Sequence, residues 1–287
     1  MARQMWERFE PVHDLVYFTP EARRTADGLG MRGFWMGYFA LRAAPLGAVS
    51  PSVVTGCFYV FHPSRVARAL PDAWGYAAPA DVLAARWAAM DAAMTGLFGA
   101  DVVESAELAE AADLAWEAAA GADTAGRVLA AANQALERPE RPAVRLWQAL
   151  TTLREHRGDG HVAVLVSLGL GPVEAMVLKA AAGESDGPFL RETRTWAAED
   201  WAAAEAALRE RGFLTEHGSL TRAGVAGRAF VETRTDAAAE RPWTVLGAER
   251  TARLADLLEP LARTVVDSGL LPSGNPVGLT GRHVAGP

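Results

Sequence analysis

Lysine is almost missing from this chain. Lys179 is the only one in 287 residues, and arginine carries the remaining basic charge. Arginine, alanine and glycine are all heavily used and share GC-rich codons, so the bias reads as that of a high-GC genome and not as a functional choice. Cysteine is equally scarce. With Cys57 alone, neither an internal disulfide nor a CxxC metal site can form. The thiol lies in the apolar run 53–61 and reads as buried, since a nucleophile would need a basic neighbour. No apolar run reaches the roughly 18–20 residues that cross a bilayer, and the charged opening Met-Ala-Arg-Gln-Met-Trp-Glu-Arg is unlike a signal peptide. The expectation is a cytoplasmic protein with no membrane partner.

Nucleotide and hydrolase signatures are also wanting. There is no P-loop and no nucleophile elbow. Gly28, Gly30 and Gly33 spell GxGxxG, but they follow a helical segment where a strand is required, so the match is dismissed. No cofactor is expected.

What the chain does have is a core. Half of its residues are hydrophobic and 22% are charged, enough for one large domain or two ordinary ones. The net charge of −7 is uneven: residues 101–140 hold two basic and nine acidic side chains. Their apolar residues Leu108, Ala111, Ala112 and Ala115 recur at helical spacing, so the acids read as the solvated face of a helical linker.

Helical patterning dominates elsewhere. Residues 79–98 place Leu83, Trp87, Met90 and Met94 on one stripe, with Pro79 at the first turn and Gly99 just past the end. Helices are expected at 142–156 and 160–168, broken by a Gly158-Asp159-Gly160 turn, and again at 172–182, 197–211 and 221–239. Only 53–61, 212–215 and 218–221 look strand-like, the first through its β-branched and aromatic content. From 160 to 235 the order is three helices, a short strand broken at Gly212, a turn at His217-Gly218, a return through Leu220-Thr221, and a helix for which Thr221 is the natural cap. That order makes a winged helix-turn-helix.

The first half repeats the plan loosely. Met5-Trp6 matches Leu146-Trp147, and Leu29-Gly30-Met31 before Met36 matches Leu168-Gly169-Leu170 before Met176. The expected fold is therefore mostly α: tandem, pseudo-duplicated winged helix-turn-helix halves with small β-hairpin wings. Residues 1–100 form the degenerate N-terminal half, 101–140 the acidic linker and 141–287 the C-terminal half.

The wording Arg-Gly-Phe-Leu (211–214), Gly-Ser-Leu-Thr (218–221) and Gly224 resembles the wing of MarR-like regulators. Longer phrases are similar to an actinobacterial helix-turn-helix family of unassigned function, labelled SalK-like. They include Tyr17-Phe18-Thr19-Pro20-Glu21-Ala22, Arg32-Gly33-Phe34-Trp35-Met36-Gly37-Tyr38-Phe39-Ala40, Ala69-Leu70-Pro71-Asp72-Ala73-Trp74 and Leu153-Arg154-Glu155-His156-Arg157-Gly158-Asp159-Gly160-His161. The resemblance implies a helix-turn-helix fold and no particular activity.

Two chemistries compete. A recognition helix at 197–211 offers Arg209 and Arg211, with Arg222 beyond the wing, as DNA contacts. Its first turn, however, carries Glu199-Asp200, which suits the helix dipole and repels phosphate, so charge disfavours DNA as a partner. The rival is a pocket for a small hydrophobic or aromatic molecule. Trp35, Tyr38, Phe39 and Arg42 share one helix face, and Arg32, Tyr59 and His62 flank it, leaving Arg42 to pair a ligand carboxylate. The same residues equally suit a plain core with Arg42 at its rim. Should a reaction occur, the acid/base candidates are His13, Tyr17, His62 and His161, the last aimed by the turn at 158–160. For each histidine a purely structural role is the competing reading. No HxH or HxxxH spacing joins His13, His62 and His161, so no metal site is expected. The leading expectation is a ligand-binding helix-turn-helix protein, a candidate ligand-responsive transcriptional regulator. The alternative is an enzyme or ligand-sequestering protein of secondary metabolism on a scaffold that has lost DNA binding.

Overall fold

Pro79 and Gly99 bracket a helix as the sequence predicts: Pro79–Phe98 is continuous, and Gly99 leaves it at φ 86°, a conformation that costs glycine little. In the computed structural model, which describes residues 1–271, the same logic sets most other elements. The N-terminal part comprises α1 (Ala2–His13), α2 (Leu15–Phe18), α3 (Pro20–Gly28), α4 (Gly33–Ala43), α5 (Pro51–Phe58), α6 (Pro63–Ala67), α7 (Ala73–Tyr76) and α8 (Pro79–Phe98). The acidic segment folds as α9 (Ala100–Val103), α10 (Ala106–Ala120) and α11 (Val128–Gln134). The remainder comprises α12 (Pro142–Ser167), α13 (Pro172–Ala181), α14 (Gly187–Arg194), α15 (Ala198–Glu210), α16 (Arg222–Ala238), α17 (Arg241–Leu246) and α18 (Ala248–Asp267).

Three apolar cores organise these helices. The first gathers Met5, Phe9, Met90, Met94, Leu146, Trp147, Leu150 and Leu258 from α1, α8, α12 and α18, with the alanine face of α10. Burial of each large side chain contributes roughly 1.5–3 kcal/mol. The second is aromatic: Phe39, Phe58 and Phe61 pack on Met36, Val54, Leu70 and Val82. The third joins α13, α14, α15 and α16 to the end of α12, where Leu165, Met176, Val177, Leu190, Leu208, Leu214 and Val231 meet. The exposed acids of α10 pair outward: Glu110 with Arg253, Glu117 with Arg250 and Asp113 with Arg138.

Three local expectations need correction. Residues 53–58 are not strand but the helix α5, started by Ser50 and by Pro51 at its first turn; burial of Val54 and Phe58 on one helical face outweighs the β-propensity of Val53, Val54 and Thr55. The wing is no full hairpin: among the described residues it is one antiparallel bridge, Leu214 to Leu220, closed by Thr215 N–H to Ser219 O at 2.8 Å and Thr221 N–H to Phe213 O at 3.0 Å.

The turn at 158–160 is likewise absent, because α12 runs through it unbroken for 26 residues. The two glycines there do not end the helix. Gly160 makes room for Arg127, whose Nη1 a Cβ would meet at 2.5 Å, and Arg127 ties the His156 carbonyl of α12 to the Ala238 carbonyl of α16. Asp159 caps neither its own helix nor the next in sequence. Its Oδ2 accepts the Ala130 N–H at 2.9 Å, satisfying an orphan donor in the first turn of α11.

Candidate functional site

The aromatic core and the core of α13–α16 do not close on each other. Between them lies a cavity of about 1030 Å³, bounded below by the middle of α12. Trp35, Tyr38 and Arg42 of α4 form one wall with Phe58, Tyr59 and Phe61, whereas Met176 and Lys179 of α13, Leu190 and Arg194 of α14 and Val231 of α16 form the other. Rings pack against one another along the first wall, with Tyr38 5.6 Å from both Tyr17 and Phe61 by centroid. The residues after α5 tie the first wall to the second. There Tyr59 takes φ 55° and donates its hydroxyl to the Leu170 carbonyl. His62 N–H then donates to the Arg194 carbonyl at 3.1 Å, and Trp196 Nε1–H donates to the Val60 carbonyl at 2.8 Å.

Of the residues expected at a ligand site, Trp35, Tyr38, Arg42 and Tyr59 line the cavity. Arg32 and His62 do not. Arg32 lies over the Tyr76 ring at 5.5 Å, while His62 caps α6 by accepting the Ser64 N–H through Nδ1 and sits edge-on to Trp196. Arg42 is not available as expected. Its Nε and Nη2 each donate to a Glu155 oxygen at 2.9 Å, a bidentate pair with Glu155 only 2% exposed. Sequence spacing put Arg42 on the right face, but Glu155 stands 113 residues away and only the fold brings it there.

The acid/base candidates separate similarly. Thr151 Oγ1 donates to the Trp147 carbonyl at 2.9 Å, so it must accept from His13 Nδ1, 3.1 Å away. That fixes the Nδ1–H tautomer of a neutral His13, and His13 Nε2 accepts the Tyr17 hydroxyl proton at 3.1 Å. Burial and the neighbouring Arg154 hold the His13 pKa well below its ordinary value, while burial pushes the Tyr17 phenol up. Tyr17 therefore offers oxygen lone pairs, not a proton, to anything in the cavity. His161 obeys the same rule on the far side. Thr235 Oγ1 donates to the Val231 carbonyl at 2.8 Å and accepts from His161 Nδ1 at 3.0 Å, and burial brings the His161 pKa down to about 4. Among the described residues, no group of three or more His, Cys, Asp or Glu side chains is placed to hold a metal ion.

Sequence reasoning missed the charged floor. Arg154 reaches both Glu10, at 3.3 Å, and Glu155, at 3.1 Å; Arg157 holds Asp236 at 2.7 Å and Glu232 at 3.3 Å. Glu10 is buried and its pKa is pushed up by that burial despite Arg154, and the Asp159 carboxyl is raised to about 6 for the same reason. On α12 they form two helically spaced pairs, Arg154 with Arg157 and Glu155 with Asp159, a pattern visible in the sequence but masked by the glycines read as a turn.

The outer face of α15 is plain. Glu199, Asp200, Ala202, Ala203, Ala206 and Glu210 of α15 are exposed. Arg209 is held by Glu205 at 3.0 Å, and Arg211 donates to the Leu168 and Gly169 carbonyls that end α12. Arg222 is exposed at the start of α16. Among the described residues, no single helix is long and apolar enough to cross a membrane.

No curated protein and no solved structure matches this sequence. A family model described as a helix-turn-helix family does match, over residues 2–272. With nearly the whole chain covered, this protein belongs to that helix-turn-helix family.

Proposed function

We propose that the protein is a small-molecule sensor whose ligand lies in the cavity between the aromatic wall and the winged helix. The observation that supports this is the composition and ownership of the walls. The volume of about 1030 Å³ suits a multi-ring molecule, and one wall consists of α13 and α14, the helices that position α15. A ligand preferring one setting of those helices biases the other surfaces of the helix-turn-helix by its differential affinity for the two settings.

DNA is the natural output for this fold class, but α15 contributes little to it. Its exposed face is acidic and small, so attraction to phosphate rests on arginines outside it such as Arg222. Association with DNA is thus expected to be weak and steeply salt-sensitive. The same reading treats residues 1–100 and 141–287 as halves of an old duplication joined by 101–140. The two non-glycine residues with positive φ among those described, Tyr59 and Thr195, follow α5 and α14 respectively, which supports that reading. A duplicated chain supplies two winged-helix-like units without dimerisation.

A second reading rests on the Thr151–His13–Tyr17 chain, which would serve an enzyme as a proton path at the cavity wall. One experiment addresses the leading proposal. The protein is titrated with the neutral dye N-phenyl-1-naphthylamine, following dye emission, and its binding to DNA from upstream of its own gene is measured at low salt with and without the dye. Saturable dye binding with a changed DNA affinity is the expected result. No dye uptake would overturn the sensor reading, and dye uptake with no DNA complex at any salt would transfer the cavity to the enzyme or sequestering reading.

A further inference from the structure

Among the described residues, every cation lining the cavity but one faces a carboxylate. Arg42 is closed on Glu155, Arg154 on Glu10 and Glu155, Arg3 and Arg157 on Glu232 and Asp236, and Arg228 on Glu184. Lys179 feels the attraction of Glu184 and Glu232. Arg194 differs. Among the described residues it makes no ion pair. Its Nη1 reaches only the neighbouring Thr193 Oγ1, at 2.9 Å, and its buried Nε has no partner.

The surroundings make that isolation costly. The Arg194 Cζ lies 4.6 Å from the Phe61 ring and 5.8 Å from Trp35, so the charge sits against two aromatic side chains with little room for hydration. Burial lowers its pKa, and the like charges of Arg42 and Arg65 add to that against the opposing influence of the Tyr38 phenol. Meanwhile its backbone is pinned, because the Arg194 carbonyl accepts the His62 N–H across the gap between the two halves. A guanidinium held rigidly by its main chain, stacked on rings and left unpaired in a cavity wall is a preorganised anion receptor.

We infer that the ligand of this cavity is an aromatic anion whose carboxylate or sulfonate binds Arg194, with its rings lying among Trp35, Tyr38 and Phe61. This rests on the sensor reading of the cavity and names the chemistry of its ligand. It also moves the anion site from Arg42, where the sequence placed it, to a residue of the winged helix itself. Tyr17 then defines the complementary end, since its hydroxyl proton is committed to His13 and its oxygen accepts a hydrogen bond from a ligand hydroxyl or amine.

The test compares two dyes of one skeleton: anionic 1-anilinonaphthalene-8-sulfonate and neutral N-phenyl-1-naphthylamine. They are titrated into the wild-type chain and into Arg194→Gln and Arg194→Lys, and fluorescence is followed. The expected result is about tenfold weaker sulfonate binding in Arg194→Gln, partial recovery in Arg194→Lys, and no change for the neutral dye. A second measurement needs no variant: 2-naphthoate should displace the neutral dye from the wild-type protein at concentrations where 2-naphthamide does not. Equal displacement by acid and amide, or unaltered sulfonate affinity in Arg194→Gln, overturns the anion site while leaving the cavity reading intact. Failure of both dyes to bind overturns both.

Discussion

Arg42 and Glu155 meet fork to fork, two N–H groups on two oxygens, at the junction of the aromatic wall and the central helix. Arg42 is 12% exposed and Glu155 2%, so neither charge is hydrated enough to survive alone. Removing one partner from such a pair typically costs about 3–5 kcal/mol. Glu155→Gln is therefore expected to lower stability by that order in urea unfolding at pH 7. The acid side follows from linkage. Arg42 and Arg154 hold the Glu155 carboxyl far below its ordinary range, so its contribution is complete above the unfolded value of about 4.3 and is lost as pH falls through the folded one. The destabilising effect of Glu155→Gln should hence shrink between pH 5 and pH 3. An effect independent of pH would exclude the pair as its source.

Asp14 predicts the reverse sign. It is fully buried with neither carboxyl oxygen hydrogen-bonded, and burial and the Glu10 charge push its pKa well above the usual range. The native state takes up this proton more readily than the unfolded chain does, so ionisation costs stability as pH rises. Asp14→Asn is expected to stabilise the protein at pH 7 and to make little difference at pH 3. A raised Tm at pH 7 is the readout, and a lowered one would show that the charged form has a partner.

Histidine 161 gives a pH slope of its own. With a folded pKa near 4 and an unfolded value of about 6.5, the unfolded chain binds the extra proton first, and stability falls as pH drops from 6.5 towards 4. His161→Asn should flatten that part of the profile. Nitrogen-15 NMR of the wild-type protein at pH 7 should find His13 and His161 neutral and protonated at Nδ1, and an Nε2–H form at either would refute the threonine-directed tautomers.

Gly224 lies where the wing crosses α16. A Cβ there would stand 2.2 Å from the Phe213 carbonyl oxygen, which is backbone and cannot swing aside. Overpacking of this kind costs about 1–3 kcal/mol, so Gly224→Ala is expected to lower Tm and to increase amide exchange at Thr215 and Thr221, whose N–H groups close the wing. Unchanged exchange at those two amides would mean that the wing does not depend on this crossing.

Local signals carried the sequence reading a long way. Thr221 caps α16 through the Gly224 N–H at 3.0 Å, α8 ends where its proline and glycine put it, and α15 lies within the expected 197–211. What failed was distant. The glycines at 158 and 160 resemble a break until Arg127 is seen against Gly160, and α5 resembles a strand until its buried face is known. Arg194 shows the limit most clearly. Nothing in Arg-Glu-Thr-Arg distinguishes it from Arg191, because its character comes from Phe61 and Trp35, far away in sequence.

The unbroken course of α12 has a mechanical consequence. Its 26 residues span about 39 Å at 1.5 Å per residue. Its first turns lie in the core built on Trp147, its middle carries Glu155 and Asp159, and its end is tied down by Arg211 next to α13. Residues 154–161 thus belong to the same helix that Trp147 anchors at one end and Arg211 at the other, so the charged floor of the cavity and the α13–α16 core rest on one support.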